Sequence, residues 1–260
     1  MARSIIDKWT KTALMRRDKK LARHMPSTAL AGKEALRRML RRHGMVYVKP
    51  TRGSQGRGVM RLERLGGGRG YRYQLGERRR SFATYELAYA SIRRAMAGKR
   101  HIVQKGIRLL RHRGRAFDIR LMLQRSPRGG FVSTGKLARV AHPRKIVTNG
   151  SQGGSIYGTD HVLRRHAGPR RRQALYRRMD DLAQRATRLL RRAAPQINEL
   201  GMDYAVDGQL KPWILEVNTR PDASPFTLLA DQRMIGRIVR YGRGYGRTYK
   251  LVCKKAKQGV

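Results

Sequence analysis

Cysteine is nearly absent from the chain, whose 260 residues include one, Cys253. A single cysteine excludes an intrachain disulfide framework and a cysteine-based zinc cluster, and it is typical of a reducing compartment. Long apolar runs are also missing, since no stretch approaches the roughly 18 residues of a transmembrane helix. The basic N-terminus, MARSIIDKWTKTALMRR, lacks the apolar core of a signal peptide but leaves a transit peptide open. We therefore expect an intracellular, cytoplasmic protein.

Acidic residues are the second shortage. Only 16 Asp and Glu face 61 Lys and Arg, which gives a formal net charge of +45. Such an excess attracts polyanions through counterion release, so nucleic acid, acidic polypeptides and anionic surfaces are all candidate partners. Aromatic residues make up 7% of the chain and are not interleaved in the basic runs, so stacking on single-stranded nucleic acid has little support.

The spacing of apolar residues predicts an α+β fold with a largely antiparallel sheet. Residues 1–43 are expected to be helical with a break at 25–28, and the tail after residue 240 is expected to be mobile. Further helices are predicted at 84–97, 170–194 and 226–240. Strands are predicted at 45–48, 59–62, 71–73, 101–104, 117–124, 131–140, 202–206 and 213–217.

A glycine-rich loop, TRGSQGRG, joins the first two predicted strands. Glycines allow backbone N–H groups to approach phosphate oxygens closely. Lys49, just before the loop, can reach the same phosphates as a point charge. Because the lysine precedes the glycines, this is not the P-loop pattern. The loop fits either a phosphate-binding site or a plain glycine hairpin.

Two further segments combine strand ends with polar groups. Gln104 to Ile107 follows a buried strand, where backbone groups can bond an adenine edge or form an ordinary turn. Strand alternation places Asp118 and Arg120 on one face. These two residues are expected either to form a structural ion pair or to leave Arg120 facing a phosphate.

Arginines in two other places suit anions. Arg139 on a predicted strand, followed by Asn149 and the pair Gly153–Gly154, is typical of an anion pocket. The predicted helix at 170–194 carries a run of arginines opposite its apolar stripe. That run is expected to be either a solvated face or a surface for contact with a polyanion.

Five of the 16 carboxylates lie in the window from Glu199 to Asp222. Asp203 lies on one predicted strand, and Glu216 and Asn218 share a face of the next. The turn Asp207–Gly208 would make the two strands antiparallel neighbours and bring the three residues together. Two carboxylates and an amide oxygen form a partial shell for one or two Mg²⁺, completed by phosphate oxygens and water. A cation would also relieve the repulsion between the acids.

In this order, the segments resemble the ATP-grasp superfamily over about residues 7–226. VKPTRGSQGRGV resembles the loop that covers the phosphates, IVQKGI the adenine hinge, and LGMDYAVD…WILEVNTRP the metal-binding end. FDIRLML and the segment from Asn149 to Gly154 are similar to those of the RimK-type glutamate ligases. The details KW, PST, VYVKP, DIR, VTN and WILEVN are most similar to the YheC/YheD-like branch, which is linked to bacterial spore coats.

The resemblance implies an ATP-grasp fold, in which two α+β subdomains clamp the nucleotide after a short helical N-terminal segment. The expected units are the helical segment 1–44, a small subdomain at 45–103, a large subdomain with the metal site at 104–226, and a last helix with a basic tail at 227–260. It also leaves open an association with the spore.

The resemblance implies roles for individual residues as well. ATP would contact Lys8, Lys49, Ser54, Gln55, Gly56, Gly58, Gln104, Lys105 and Ile107. Mg²⁺ would be held by Asp203, Glu216 and Asn218. The γ-phosphate and an acyl phosphate would face Arg120, Arg139 and Asn149. Lys105 departs from the acidic residue that the family often has at the hinge, which leaves ribose recognition open.

The implied activity is that of an ATP-dependent carboxylate–amine ligase, which forms an acylphosphate and then an amide. Such chemistry depends on positioning and charge neutralisation more than on acid–base groups. The acceptor is expected to be an acidic peptide or protein steered by the positive charge, together with an amine substrate. The alternatives are a grasp-fold polyanion-binding or spore-coat scaffold without ligase activity, and a phosphotransferase that uses the same ATP site.

Overall fold

Two β-sheets, each covered by helices, organise the computed structural model, which describes residues 7–148 and 152–259. The helices are α1 (Lys8–Met15), α2 (Lys19–Ala22), α3 (Lys33–His43), α4 (Tyr85–Met96), α5 (Thr159–Leu163), α6 (Pro169–Ala193) and α7 (Arg233–Arg243), with a 3₁₀ helix at Ser224–Leu228. The strands are β1 (Thr28–Leu30), β2 (Met45–Pro50), β3 (Met60–Arg64), β4 (Tyr71–Leu75), β5 (Arg78–Phe82), β6 (His101–Lys105), β7 (Arg111–His112), β8 (Arg115–Arg125), β9 (Phe131–Val140), β10 (Ser155–Tyr157), β11 (Glu199–Val206), β12 (Pro212–Asn218) and β13 (Lys257–Gln258). The predicted α+β class is confirmed.

The first sheet has the order β1-β6-β2-β3-β4-β5, with all neighbours antiparallel. Alternate side chains of β2, Val46 and Val48, are buried in a core shared with helices α3 and α4. The glycine loop connects β2 to β3, as expected for a hairpin. Gly58 has a φ of +71°, and a Cβ there would lie 3.1 Å from Pro50, so the loop folds back tightly over the end of β2.

The second sheet has the order β12-β11-β8-β9-β10-β13, and β7 pairs with β8. Strand β8 divides its side chains between two environments. One set packs in the core beneath α6, namely Phe117, Ile119, Leu121 and Leu123. On the opposite face, Asp118 and Arg120 precede Met122, which packs beneath α7, and Gln124, which bonds the C-terminal segment. The charged end of this face is what the second sheet presents to the first.

The N-terminal residues divide between the two sheets. Helix α1 packs against α6 and β12, whereas α3 packs against the first sheet. Strand β1 includes residues 29 and 30, which were expected to begin a helix, because residues 28–30 pair with β6 at the edge of the first sheet. Tertiary pairing here overrides local helix propensity. The division into units at residues 44, 103 and 226 stays a prediction.

Most predicted elements are confirmed, including the β11–β12 hairpin with its turn at Asp207. Both oxygens of Asp207 accept hydrogen bonds, from the backbone of Gln209 and Lys211 and from the indole of Trp213. Strand β5 was missed because all but its last residue are exposed and it lacks apolar alternation. The single helix predicted at 226–240 is a 3₁₀ helix followed by α7. Among the described helices, none combines the length and apolar character needed to cross a bilayer.

The C-terminal segment, expected to be mobile, is docked on the second sheet. Buried Glu199, the first residue of β11, accepts hydrogen bonds from the hydroxyls of Tyr245, at 2.9 Å, and of Tyr249. Arg247 lies 3.2 Å from the same carboxylate. Burial raises the pKa of Tyr245 to about 12, which keeps its hydroxyl a donor. Strand β13 then pairs in parallel with β10.

The double substitution of Tyr245→Phe and Tyr249→Phe should loosen this segment without changing its apolar packing. It removes two donors to a buried carboxylate, each bond contributing about 1–3 kcal/mol. We expect hydrogen exchange at the amides of Lys257 and Gly259 to accelerate about tenfold or more. Tyr241→Phe is the matched control, because that hydroxyl has no partner in the part of the chain that the structure describes. Unchanged exchange in the double variant would contradict the anchoring role of the two hydroxyls.

Candidate functional site

A cleft of about 320 Å³ opens between the two sheets. The first sheet contributes β2, the glycine loop and the end of β6, and the second contributes residues of β8, β9, β11 and β12. Eleven Lys and Arg residues line it against three carboxylates, those of Asp118, Asp203 and Glu216. The volume and the positive charge suit a multiply anionic small molecule.

Lys8 joins the two sides of this cleft. Its Nζ donates to the carbonyl oxygen of Gly53 in the glycine loop at 2.7 Å and lies 3.3 Å from a carboxylate oxygen of Glu216 on β12. Its backbone N–H donates to Thr51 at 2.9 Å. Asp7 caps helix α1 by accepting from the N–H of Thr10 at 3.0 Å, and this cap fixes where Lys8 begins the helix.

Lys49 lies deeper in the cleft, at the end of β2. Its Nζ donates to the side-chain oxygen of Gln104 at 2.6 Å, and Gln104 in turn donates to the hydroxyl of Thr28 at 3.2 Å. Burial lowers the pKa of Lys49 to about 8, although the nearby carboxylate of Glu216 acts in the opposite direction. The ammonium group therefore loses its proton at a lower pH than an exposed lysine does, and a bound anion would favour the charged form.

A series of buried ion pairs crosses strands β9, β8 and β11. Arg139 lies 2.6 Å from Asp118 and 2.9 Å from Asp203, and Arg120 lies 2.5 Å from Asp203. The hydroxyl of Thr148 donates to Asp118 at 2.6 Å. Asp118 and Arg120 share a strand face as predicted, but each pairs with a residue directly opposite on the neighbouring strand. We call these four charged residues the ion-pair ladder.

The ladder engages both carboxylate oxygens of Asp203. Arg120 donates to Oδ1 and Arg139 lies against Oδ2. Burial would raise the pKa of Asp203, but the two guanidinium groups outweigh that effect and hold it at about 2. Its predicted role as a metal ligand stays a prediction, and it requires that a cation compete with two arginines.

Glu216 and Asn218 are the other predicted metal ligands. Glu216 lines the cleft opposite Asp203, whose Cα it faces in the strand register. The amide nitrogen of Asn218 donates to the carbonyl oxygen of Gly201 at 3.5 Å, which leaves the acceptor role to its amide oxygen. The described residues contain no cluster of three or more His, Cys, Asp or Glu that could hold a metal. A carboxylate and an amide oxygen are chemically suited to Mg²⁺ if ligand phosphates complete the shell.

A β-bulge in β12 sets the position of Glu216. Tyr204 pairs with Ile214 and Asp203 with Glu216, so Leu215 is an extra residue. Ile214 and Val217 remain in the core, while both intervening side chains line the cleft. Regular strand alternation does not predict this bulge, although the apolar residues three apart in WILEV indicate a break in the alternation.

The cleft also has an apolar wall, which sequence analysis missed. It consists of Tyr47, Val59, Ile107, Leu109 and Leu215. Only Ile107 was predicted, from the resemblance at the hinge. The others are apolar residues in or beside strands, a pattern that usually indicates core. A wall of this kind suits one face of a planar ring, next to the lysines that suit phosphates.

The structure brings most predicted site residues to the cleft. Those that line it are Lys8, Lys49, Ser54, Gly56, Gln104, Lys105, Ile107, Arg139, Asp203 and Glu216. Those placed just outside its lining are Gln55, Gly58, Arg120 and Asn218. Asn149 lies outside the described residues. Arg57 in the loop, together with Arg144 and Lys145 after β9, lines the cleft without having been singled out.

Comparisons with known proteins agree with this architecture. A family model described as YheC/D like ATP-grasp matches residues 1–248. The endospore coat-associated protein YheD of Bacillus subtilis (strain 168) is 24% identical over 232 residues, 86% of this chain and 50% of YheD. The chain thus spans about half the length of that curated relative.

Solved structures show the fold. The C-terminal domain of Pby1 from K. lactis, an ATP-grasp enzyme that interacts with the mRNA decapping enzyme Dcp2, matches with a TM-score of 0.51 and 18% identity over 93% of this chain and 72% of that one. The ATP-grasp ligase PsnB, complexed with a phosphomimetic variant of its minimal precursor, Mg and ADP, matches with a TM-score of 0.51 and 17% identity. The match covers 92% of this chain and 58% of PsnB. D-cycloserine synthetase DcsG matches with a TM-score of 0.51 and 14% identity, and the match covers 90% of this chain and 69% of DcsG. The predicted ATP-grasp fold is confirmed.

Asp203→Asn should destabilise the protein because it leaves Arg120 without a charged partner in a buried position and leaves Arg139 with Asp118 alone. Removing one partner of a buried ion pair costs about 3–5 kcal/mol in the free energy of unfolding. Urea denaturation followed by circular dichroism measures this loss. Adding Arg120→Met to Asp203→Asn removes the unpaired charge and should recover part of the lost free energy of unfolding.

The matched control for this substitution is Asp231→Asn. Asp231 pairs with Arg233 at 2.8 Å on the surface, where solvent screens the pair. We expect the denaturation midpoint of the control to stay close to that of the wild type. Equal midpoints for Asp203→Asn and the control would show that the ion-pair ladder does not stabilise the second sheet.

Proposed function

Since the chain belongs to the YheC/D-like ATP-grasp family, we propose that it is an ATP-dependent carboxylate–amine ligase that acts on an acidic peptide or protein. One observation carries the proposal. The glycine loop and Lys49 on the first sheet face Glu216 on the second across one cleft, with Lys8 touching both sides. A nucleoside triphosphate has the size and charge to occupy this space.

In this proposal the base of ATP lies against the apolar wall near Ile107, and the triphosphate extends toward Lys49 and Lys8. Backbone N–H groups of the glycine loop cover the phosphates. The ammonium group of Lys49 exchanges its bond with Gln104 for a phosphate oxygen, which favours its charged form. Lys105 lines the cleft beside Gln104, and its Nζ lies 5.5 Å from the centroid of the Trp213 ring.

Glu216 and Asn218 are the residues that would hold Mg²⁺, which neutralises phosphate charge when bound. Lys8, only 3.3 Å from Glu216, would balance the carboxylate when the cation is absent. Asp203 acts mainly by fixing the two ladder arginines. Arg139 lines the cleft from the ladder and would face the γ-phosphate.

The proposed reaction has two steps. An acceptor carboxylate oxygen bonds to the γ-phosphorus while the bond to ADP breaks, and an amine then bonds to the acyl carbon while phosphate leaves and the amine releases a proton. The residues of the cleft align the two reactants and offset the developing negative charge. A cleft rich in Lys and Arg is suited to offsetting negative charge in this way.

A second candidate function has its own support. Both oxygens of Asp203 are engaged by arginines, which suits a site that no longer binds metal. The chain would then be a scaffold that binds polyanions with a grasp fold, and the likeness to an endospore coat-associated protein is in keeping with this alternative. The ligase would turn over ATP and the scaffold would not, so an assay of ATP turnover distinguishes the two functions.

Glu216→Gln should abolish Mg²⁺-dependent ATP turnover while the fold stays intact, because a neutral amide replaces the proposed charged metal ligand. The assay is mass-resolved ADP release with a panel of amino acids and acidic peptides, and circular dichroism reports the fold. If the wild type releases no ADP with any acceptor and amine, the ligase proposal fails. Undiminished release in the variant would refute the metal assignment.

The affinity for Mg²⁺-free ADP should fall as the pH rises above about 8. Lys49 in the free protein loses its proton there, whereas bound phosphates favour the charged form. We expect up to about tenfold weaker binding per pH unit in this range, and calorimetry in two buffers should detect proton uptake on binding. Lys49→Arg should remove the dependence, since arginine stays charged. A wild-type affinity that is flat from pH 7.5 to pH 9.5 would contradict this role of Lys49.

A further inference from the structure

A second recess, of about 410 Å³, lies beside the cleft. It shares Arg57, His142, Arg144 and Lys145 with the cleft, so the two cavities adjoin at the side where the glycine loop meets the segment after β9. The rest of its lining comes from Glu77, from Gln152 and Gly153, and from Lys255 in the C-terminal segment.

The recess joins both sheets to the C-terminal segment. Gln152 accepts from the Nζ of Lys145 at 3.1 Å and donates to the carbonyl oxygen of Gln55 in the glycine loop at 3.2 Å. Lys255 comes two residues before β13, whose Lys257 donates its N–H to Gly154 at 3.2 Å. The wall of the recess is therefore assembled from three parts of the chain.

Close packing fixes the position of Lys255. The N–H of Gly259 donates to Ile156 at 2.8 Å, and a Cβ on Gly259 would lie 2.3 Å from the ring of Tyr157, so the end of the chain lies directly on that ring. On the other side, the hydroxyl bonds to Glu199 hold the segment at Tyr249. Lys255 lies between these two anchors.

The charge of the recess is strongly positive. Four Lys and Arg residues line it against one carboxylate, that of Glu77, which Arg144 already pairs at 3.0 Å. Arg57 and Lys255 make no ion pair within residues 7–148 and 152–259, and both are exposed. Cations without partners around a concave surface attract a ligand that carries several negative charges.

We propose that this recess binds additional carboxylates of an acidic peptide acceptor, and that the docked C-terminal segment forms part of the acceptor site through Lys255. The inference rests on the proposed ligase function. ATP would fill the cleft, so an acceptor must approach the γ-phosphate from beside the glycine loop, where Arg57 borders both cavities. A peptide with consecutive acidic residues places one carboxylate at the phosphate and others in the recess.

The test uses the full chain saturated with Mg²⁺ and ADP, and fluorescein-labelled hexaglutamate as the probe. Lys255→Glu should weaken binding of the peptide about tenfold, as expected for reversing one charge at a contact. Lys250→Glu is the matched control: it makes the same charge change at an exposed position of the same segment outside the recess. We expect it to change peptide affinity less than twofold at physiological ionic strength. Fluorescence anisotropy measures both.

Each other outcome overturns a defined part of the proposal. Equal weakening in the two variants would show steering by overall charge rather than a site at Lys255. Displacement of the probe by hexauridylate at lower concentration than by unlabelled hexaglutamate would assign the recess to nucleic acid. Binding of a fluorescent ADP analogue is measured separately for each variant, in samples without added ADP, and should not change. If the wild type binds the analogue and releases ADP but ignores hexaglutamate, only the recess proposal fails; if it binds neither ligand, the proposed function fails with it.

Discussion

The ion-pair ladder across β9, β8 and β11 is the interaction on which the arrangement of the cleft depends. Two arginines and two aspartates are buried together, and any one of them left alone would carry a large desolvation cost. Two of its pairs, Asp118–Arg139 and Arg120–Asp203, form between residues directly opposite on neighbouring strands, and Arg139 also reaches Asp203 across β8. The ladder therefore stabilises one strand register and presents a nearly neutral surface at the floor of an otherwise cationic cleft.

This neutral floor explains how so basic a chain can build a defined anion site. Positive charge spread evenly over the walls would hold an anion in many positions. The aspartates neutralise the charge at the floor, whereas Lys8 bonds the glycine loop and Lys49 lies at the end of the strand before it. Burial of Lys49 lowers the pKa of its ammonium group, so its charged form is sensitive to whether an anion is present. Positional preference within the cleft thus comes from the few acids rather than from the many bases.

Sequence patterns predicted the parts of the site that depend on short-range order. Strand alternation and the turn at Asp207 correctly predicted that Asp203 lies opposite Glu216. The two strands on either side of the glycine loop were correctly predicted to form a hairpin, which places the loop next to Lys49. The bulge at Leu215 was missed because alternation assumes an unbroken strand. The pairing of Asp203 with two arginines was missed because it depends on which strand lies beside β11, and sequence spacing alone does not specify that neighbour.

The acidic window gives the clearest example of what structure adds. From the sequence, Asp203 and Glu216 are predicted metal ligands, Asp207 is a turn residue, and Glu199 has no predicted role. In the fold three of them separate by the groups they face: Asp203 faces buried arginines, Glu216 faces Lys8 in the cleft, and Glu199 holds the C-terminal segment at the other end of the same sheet face.

Of the three, the carboxylate of Glu216 has the weakest protein partner, because its lysine is 3.3 Å away and also serves Gly53. A cation can displace Lys8 from Glu216 at lower cost than it can displace two bonded arginines from Asp203. If the family's chemistry operates in this protein, metal binding should therefore begin at Glu216, and Asp203 should keep the ladder intact while it does.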